Sequence, residues 1–206
     1  MSAPLKTTDQ LPVMEAFYTI QGEGAHSGKA AYFIRLAGCD VGCVWCDVKE
    51  SWEILPGQLK HIDSLVELVC DQPSDLVVIT GGEPCMYDLT GLTSKLRLLG
   101  YQTNLETSGA YEIKGEFDWI CVSPKKFKAP LKSELKLADE LKVIIFHPSD
   151  LEWAEQNAQL TSVKCRLFLQ PEYEKMEKIM PLIVDYVKAN PKWNLSLQTH
   201  KFIGIP

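Results

Sequence analysis

The stretch Cys39-Asp-Val-Gly-Cys43-Val-Trp-Cys46 places three cysteines within eight residues of the 206-residue chain. Thiolates that gather in this way are typical of a shared metal site. Structural zinc takes four ligands and most iron–sulfur clusters take four cysteines, so a set of three leaves one metal position open for chemistry. The spacing alone also permits a zinc site with a distant fourth ligand, three structural cysteines, or a redox pair of Cys43 and Cys46.

Apolar segments of strand length lie before and after this stretch. Residues 30–36 precede the cysteines as a run of β-formers, and the apolar run 75–80 ends at Gly81-Gly-Glu-Pro84. Further strands are predicted at 13–20, 101–105, 117–122, 140–145, 164–169 and 193–197. Helices are predicted at 62–70, 89–99, 151–159 and 172–189, the last one interrupted or restarted at Pro181. This alternation predicts a mostly parallel α/β sheet.

The polar and glycine-rich stretches fall at the carboxyl ends of these strands. That edge forms the active site in parallel α/β folds, so we expect them to converge on one mouth. The stretches are the cysteine loop, residues 81–84, 106–109 and 123–125, Gln170 and His200. Residues 107–117 and 124–139 leave little room for covering helices. The expected architecture is therefore a partial, trimmed parallel β/α barrel in a single domain of residues 1–206.

Composition and charge narrow the class of protein. With 46% hydrophobic residues, 23% charged residues and a net charge of −6, the chain is ordinary globular material without the basic face of a nucleic-acid binder. No apolar run of the roughly 18 residues needed for a transmembrane helix is present, and residues 1–10 lack the apolar core of a signal peptide. We expect a cytoplasmic protein that binds neither nucleic acid nor membrane.

The cysteine spacing and the strand before it resemble the radical S-adenosylmethionine (SAM) superfamily. Its hallmark is a Cys-x3-Cys-x2-Cys loop after the first barrel strand, with an aromatic residue, here Trp45, before the third cysteine. The resemblance implies a 4Fe–4S cluster on Cys39, Cys43 and Cys46, with SAM at the open iron. It also implies that one-electron cleavage of SAM gives a 5′-deoxyadenosyl radical, which removes a hydrogen atom from the substrate.

Other strand-end motifs are similar to the SAM-binding motifs of this superfamily. Gly81-Gly-Glu-Pro84 resembles the motif that receives the methionine ammonium group, with glycines for close backbone approach and a carboxylate for the cation. The resemblance implies that SAM is bound by Trp45, Cys46, Asp47, Gly81, Gly82, Glu83, Ser108, Gly109, Ser123, Pro124, Lys125, Gln170, Pro171, Glu172 and Tyr173.

Longer motifs resemble one family within the superfamily, the 7-carboxy-7-deazaguanine synthases of the queuosine pathway. They are residues 17–24, 33–39, 46–47, 78–84, 106–109, 122–125 and 197–202. Enzymes of this family convert 6-carboxy-5,6,7,8-tetrahydropterin to 7-carboxy-7-deazaguanine with ring contraction and loss of ammonia. SAM is regenerated in the reaction. Membership also implies a homodimer and an electron donor such as flavodoxin or ferredoxin.

The same resemblance places the substrate between an N-terminal loop, residues 17–29, and a C-terminal tail, residues 198–206. Arg35 is expected to pair with the substrate carboxylate, for which a guanidinium fork is suited. The C-terminal carboxylate of Pro206 is expected to contact the pterin. The implied substrate-binding residues are Ile20, Gln21, Gly22, Glu23, Arg35, Thr107, His200 and Pro206.

One position departs from the family pattern. After Cys-Asp the family commonly has a threonine whose hydroxyl ligates a catalytic Mg²⁺, and Val48 stands there. Because a hard cation needs oxygen ligands, we expect a weakened dependence on Mg²⁺.

Two other functions remain open from the residues. A glycyl-radical-enzyme activase shares the cluster loop and small size but acts on a protein, and the loop at residues 21–23 and the tail argue against it. A non-enzymatic iron–sulfur or zinc-binding module is the other.

Overall fold

Nine strands form one sheet in the computed structural model, which describes residues 9–206. The strands are β1 (Gln10–Ile20), β2 (Ala30–Leu36), β3 (Leu59–His61), β4 (Leu76–Gly81), β5 (Gln102–Thr107), β6 (Trp119–Val122), β7 (Glu140–Ile145), β8 (Arg166–Pro171) and β9 (Trp193–Leu195). Their order is β3-β1-β2-β4-β5-β6-β7-β8-β9. β1 is antiparallel to both neighbours, and every pair from β2 to β9 is parallel. The predicted mostly parallel α/β sheet is confirmed.

The helices cover one face of this sheet through apolar stripes. They are α1 (Ile62–Cys70), α2 (Thr90–Leu98), α3 (Lys132–Leu137), α4 (Asp150–Ala158), α5 (Met176–Ala189) and α6 (Thr199–Ile203). On α1 the buried residues Ile62, Leu65 and Val69 recur at helical spacing. One core cluster includes residues of α1 and α2, and a second includes residues of α3, α4 and α5.

The sheet curls, as shown by a contact between the loops that follow β1 and β9, near its two ends. The amide of Gly24, just past β1, donates to Ser196 Oγ, just past β9, at 2.9 Å. In a flat sheet those strands would stand seven spacings apart, roughly 34 Å at about 4.8 Å per strand. Within the described residues no strand pairing joins β3 to β9, so the barrel is not closed.

The inner face of the curled sheet carries charged as well as apolar side chains. On β7, Leu141, Val143 and Ile145 belong to the apolar core. Lys142 and Ile144 alternate with them and line a cavity on the other face. Strand alternation therefore places charged side chains inside the curl.

Four details depart from the sequence predictions. The predicted break at Pro181 is wrong, because α5 continues through it. Burial of Ile179 and Ile183 on either side of the proline holds the helix where local propensity disfavours it. The short elements β3, α3 and α6, of three, six and five residues, were not predicted, since they are too short to show a period. Residues 124–139 thus do hold a short covering helix, whose Leu135 is buried in the core.

The ends of the chain have their own outcomes. β1 begins at Gln10, earlier than the predicted residue 13. The predicted lack of a signal peptide falls largely on residues 1–8, which lie outside the described part of the chain. Between residues 9 and 206, no helix combines the length and apolar character needed to cross a bilayer.

Candidate active site

A cavity of about 520 Å³ lies at the carboxyl edge of the parallel strands. Its volume is within the range of roughly 300–1,000 Å³ that is typical of small-molecule sites. The predicted residues that line it are Ile20, Gln21, Gly22, Glu23, Arg35, Cys39, Cys43, Trp45, Cys46, Asp47, Gly81, Gly82, Thr107, Ser108, Ser123, Lys125, Gln170, Pro171, Glu172, Tyr173, His200 and Pro206. Of the predicted set, Glu83, Gly109 and Pro124 lie outside the lining.

The three-cysteine loop follows β2 and forms part of the cavity wall. The amide of Cys39 donates to Trp52 O at 3.2 Å, and the amide of Cys46 donates to Cys43 O at 3.1 Å. Burial raises the pKa of Cys43 to about 11 and also raises that of Cys39. Within residues 9–206, no three Cys, His, Asp or Glu side chains are grouped to hold one metal ion. Three thiols on one loop at the cavity are the type of donor that an iron–sulfur cluster takes.

Segments after β5 and β6 hold the cysteine loop from outside. Asp40, inside the loop, accepts hydrogen bonds from Tyr111 Oη at 2.5 Å and from Lys128 Nζ at 2.8 Å. The Trp45 ring has Lys125 Nζ 5.5 Å from its centroid and the Phe127 ring at 6.1 Å. These contacts orient the loop independently of any ligand.

Glu83 is a structural connector rather than a cavity residue. Its carboxylate is fully buried and accepts from Cys85 N at 2.9 Å, Thr107 Oγ1 at 2.6 Å, Ser108 N at 2.8 Å and Ser108 Oγ. All these donors come from the chain itself, so the carboxylate predicted to face the SAM ammonium is already satisfied. The hydroxyl of Thr107 likewise donates its proton to Glu83, while Thr107 lines the cavity and its predicted contact with the substrate stays a prediction.

The two glycines before Glu83 allow close contact with the cysteine loop. Gly82 N donates to Leu36 O at 2.9 Å, and a Cβ on Gly82 would overlap Gly38 O and Cys39 Cβ. Gly81 has φ of +143°, and a Cβ there would overlap the backbone of Leu36. Because both glycines are small, the end of β4 packs closely against the cysteine loop. Both glycines also line the cavity.

Several predicted SAM-binding side chains have internal partners. Lys125 Nζ donates to Ser123 O at 2.7 Å and to Ser123 Oγ at 2.5 Å, and burial lowers the pKa of Lys125. Gln170 Oε1 accepts from Ser196 Oγ at 2.7 Å. Glu172 caps a short 3₁₀ helix by accepting two backbone N–H groups. Ser123 and Gln170 thus line the cavity in fixed orientations.

The predicted substrate loop, residues 17–29, is hydrogen-bonded to β7 and to the tail that follows β9. Ala25 N donates to Glu140 Oε2 at 3.0 Å, and burial raises the pKa of Glu140. Gly24 has φ of +61°, and a Cβ there would overlap the Glu140 carboxylate. Gly22 O accepts from both Thr199 N and Thr199 Oγ1 at 2.9 Å, which ties the loop to the tail.

Lys142 is a cavity residue that the sequence predictions missed, and Glu106, predicted at the mouth within residues 106–109, was given no binding role. The ammonium group of Lys142 forms ion pairs with Glu23 and, at 3.0 Å, with Glu106. Burial pushes the pKa of Glu23 upward, but attraction to Lys142 and hydrogen bonds from Lys142, Gln198 and Gln170 together outweigh it, and the net pKa is lowered. The available signal was a single lysine inside the apolar strand run 140–145.

Arg35 lies at the cavity wall with a partner on the neighbouring strand. Its Nε is 2.6 Å from Glu15 Oε1, and its guanidinium carbon is 5.9 Å from the centroid of the Phe17 ring. The side chain keeps about a fifth of its surface exposed (21%). Its other guanidinium nitrogens therefore remain available to a ligand carboxylate.

The tail joins this site through polar contacts. Gln198 Nε2 donates to Glu23 Oε1 at 2.9 Å and to Asp47 Oδ2 at 3.1 Å, and Lys201 Nζ donates to the same Asp47 oxygen at 2.9 Å. Burial lowers the pKa of His200. Pro206 O accepts from Thr19 Oγ1 at 3.2 Å.

Val48 lines the cavity without offering a side-chain oxygen. Its carbonyl is used, because it accepts from both the amide and, at 2.7 Å, the hydroxyl of Ser51. Val48 itself therefore offers Mg²⁺ no side-chain oxygen, and its carbonyl already accepts two hydrogen bonds from Ser51.

The chain is similar to curated relatives over nearly its whole length. The 7-carboxy-7-deazaguanine synthase of Flavobacterium psychrophilum is 51% identical over 96% of this chain and 94% of its own length. The synthases of Synechocystis sp. and Escherichia coli K12 are 46% and 36% identical, over 96% and 95% of this chain and 95% and 99% of theirs. No protein-family model matches the chain.

A solved structure has the same fold. The crystal structure of QueE from Escherichia coli superposes with a TM-score of 0.80 at 35% identity, covering 91% of this chain and 93% of that one. Sequence and structure comparisons therefore point to the same group of enzymes.

Proposed function

The chain belongs to the 7-carboxy-7-deazaguanine synthase family and is an enzyme of queuosine biosynthesis, and from this we propose that it converts 6-carboxy-5,6,7,8-tetrahydropterin to 7-carboxy-7-deazaguanine with loss of ammonia. The observation that carries the proposal is one cavity that contains the three-cysteine loop, Arg35 and the partly buried carboxylates Glu23 and Glu106. The shared name of the relatives favours this lyase activity over an activase or a non-enzymatic module.

Cys39, Cys43 and Cys46 would hold a 4Fe–4S cluster, since they offer three soft thiolates on one loop at the cavity. The residues that would hold SAM beside it are Trp45, Asp47, Gly81, Gly82, Ser108, Ser123, Lys125 and Gln170. When bound, these cofactors supply the hydrogen-atom abstraction that amino-acid side chains cannot supply. The loop contacts of Asp40 and Trp45 support this role, because they orient the cysteines in advance.

Arg35 orients the substrate through its carboxylate. A guanidinium offers parallel N–H donors that match the two carboxylate oxygens. Glu15 and Phe17 hold the guanidinium from one side, which reduces the conformational freedom lost on binding.

The carboxylates of Glu23 and Glu106 accept hydrogen bonds from the N–H groups of the pterin ring. The loop containing Glu23 and the tail containing His200 enclose that ring, and the contact between Gly22 and Thr199 keeps the two segments together. Enclosure excludes water, which protects a reactive substrate from side reactions.

Family membership further supports a radical SAM type of partial barrel, a homodimer, and flavodoxin or ferredoxin as the electron donor. Because Val48 offers Mg²⁺ no side-chain oxygen, no step of this proposal uses that ion.

An anaerobic turnover assay tests the function. The purified chain, reconstituted with iron and sulfide, is incubated with the carboxytetrahydropterin, SAM and a reductant, and the product is identified by mass spectrometry. We expect 7-carboxy-7-deazaguanine from the wild-type chain and none from Cys46→Ala. An intact cluster with no deazaguanine product would overturn the proposal.

A further inference from the structure

Lys142 is the centre of a symmetric arrangement in the cavity wall. Its ammonium group contacts Oε2 of Glu23 and, at 3.0 Å, Oε2 of Glu106. The other oxygen of each carboxylate accepts from a glutamine amide: Gln198 donates to Glu23 Oε1 at 2.9 Å, and Gln21 donates to Glu106 Oε1 at 2.7 Å. Each carboxylate is thus held at both oxygens.

Stability alone does not explain this arrangement. The side chain of Lys142 is only 3% exposed, and a buried ion pair is often no more stabilising than apolar residues of the same volume. One ammonium between two carboxylates also leaves a net negative charge at the wall of the cavity. That surplus suits a ligand that presents hydrogen-bond donors.

We propose that Lys142 is a positioning residue that presents Glu23 and Glu106 together as paired acceptors for the amino and ring N–H groups of the pterin. This inference rests on the proposed function, since it assigns the part of the cavity that reads the pyrimidine edge of that substrate. An ionised carboxylate has about four acceptor sites, so both groups keep free sites after binding Lys142 and glutamine.

The positive charge of Lys142 keeps both neighbouring carboxylates, Glu23 and Glu106, ionised. Without that charge, two carboxylates in one buried site disfavour double ionisation, so one of them retains a proton. A protonated carboxyl donates a hydrogen bond, and it then opposes a donor on the ligand. The other ionisable groups whose charges act with Lys142 in this region are Cys121, Glu140, Lys125 and His200, and all remain in a Lys142 variant.

Ligand binding tests the inference separately from turnover. Pterin-6-carboxylate and its 2-oxo analogue lumazine-6-carboxylate share the group that Arg35 binds and differ at the amino group. Their affinities are measured by fluorescence on the reconstituted enzyme with SAM and without reductant. We expect the wild-type enzyme to prefer the pterin by about tenfold or more, and Lys142→Met to reduce that preference to within about threefold.

The pH dependence provides a readout that a merely structural role would not change. In the wild-type enzyme the pKa of Glu23 is lowered, so pterin affinity should stay nearly constant from about pH 5.5 to about pH 7.5. In Lys142→Met the affinity should rise with pH, as the shared proton is lost. Lys142 is one of the charges that lower the pKa of His200, so the two pH profiles are also compared in a His200→Gln background, where that imidazole no longer titrates.

Companion variants keep the test decisive. If Lys142→Met fails to fold, Lys142→Gln takes its place in the test. It retains a hydrogen-bond donor without the charge, and it should show the same reduced preference and the same rise of affinity with pH. Lys192→Met removes an exposed lysine paired with Glu155 and should leave the preference and the pH profile unchanged. A folded Lys142→Met or Lys142→Gln with wild-type preference and a flat pH profile overturns the inference. Failure of the wild-type enzyme to bind either probe would instead count against the proposed function itself.

Discussion

Thr107 donates a hydrogen bond of 2.6 Å from its hydroxyl to Glu83 Oε1, and this contact joins the loops that follow the neighbouring strands β4 and β5. Ser108 supplies two more donors to the other oxygen of the same carboxylate. Through Glu83, Ser108 at the cavity is joined to the segment that contains Gly81 and Gly82, which pack on the cysteine loop. Glu83 thus lies outside the cavity and stabilises the part of its wall that Ser108 and the cysteine loop form.

Replacing Glu83 with glutamine should destabilise the protein in the absence of SAM. The amide group would turn a donor toward existing donors in a fully buried position, which should cost about 2–4 kcal/mol. Thermal or urea unfolding of the SAM-free protein measures this. Glu172→Gln is the control, because that carboxylate caps backbone N–H groups that an amide oxygen can still accept in part, and its cost should stay near about 1 kcal/mol. Unchanged stability with lost SAM affinity would instead assign Glu83 to the ligand.

Two glycines of the substrate loop provide a matched pair. Gly24 and Gly28 both have positive φ, of +61° and +90°, but only a Cβ at Gly24 overlaps another group, the Glu140 carboxylate. Gly28→Ala should cost about 1–2 kcal/mol from backbone strain alone. Gly24→Ala should cost clearly more and should raise KM for the pterin, because the loop must move. Equal unfolding free energies and equal KM values for the two variants would contradict this.

The sequence was most informative where local patterns decide structure. β2, β7 and α1 have the predicted bounds, because unbroken apolar runs and helical spacing are local signals. The cysteine loop and the strand-end motifs likewise pointed to the cavity residues. Lys142 was missed, and Glu106 was given no binding role, because their significance depends on the curl of the sheet, which brings β7 and β5 to the loop after β1.

The role of Glu83 was also beyond local reasoning. A Gly-Gly-Glu-Pro stretch does not reveal that Ser108, on the next strand's loop, satisfies the carboxylate. Pro181 shows the same limit, since tertiary packing overrides the local preference for a break.

Arg35 should contribute mainly to substrate binding. Arg35→Ala should raise KM for the carboxytetrahydropterin by about 100-fold, roughly the loss of one charge-assisted contact of about 2–3 kcal/mol, with a smaller change in kcat. Arg35→Lys should fall between, because an ammonium lacks the planar fork. Glu15→Gln, which can still accept from Arg35, should change KM by less than about threefold. A lower melting temperature with unchanged KM in Arg35→Ala would show that the pair with Glu15 is only structural.

Val48 should determine how strongly the enzyme depends on Mg²⁺. Threonine has nearly the shape of valine but replaces one methyl group with a hydroxyl. Because Val48 is only partly buried at the cavity, where a hydroxyl can stay solvated, Val48→Thr adds the missing oxygen ligand at little packing cost. We expect the wild-type rate to fall by less than about threefold when Mg²⁺ is chelated, and Mg²⁺ to stimulate Val48→Thr by about tenfold, equivalent to about 1.4 kcal/mol. Val48→Ala controls for lost volume and should gain no stimulation. Initial rates with EDTA and with added Mg²⁺ measure these effects in all three proteins. A wild-type enzyme that is inactive in EDTA and recovers only with Mg²⁺ would show that substrate, backbone and water hold the ion without a side-chain oxygen at this position.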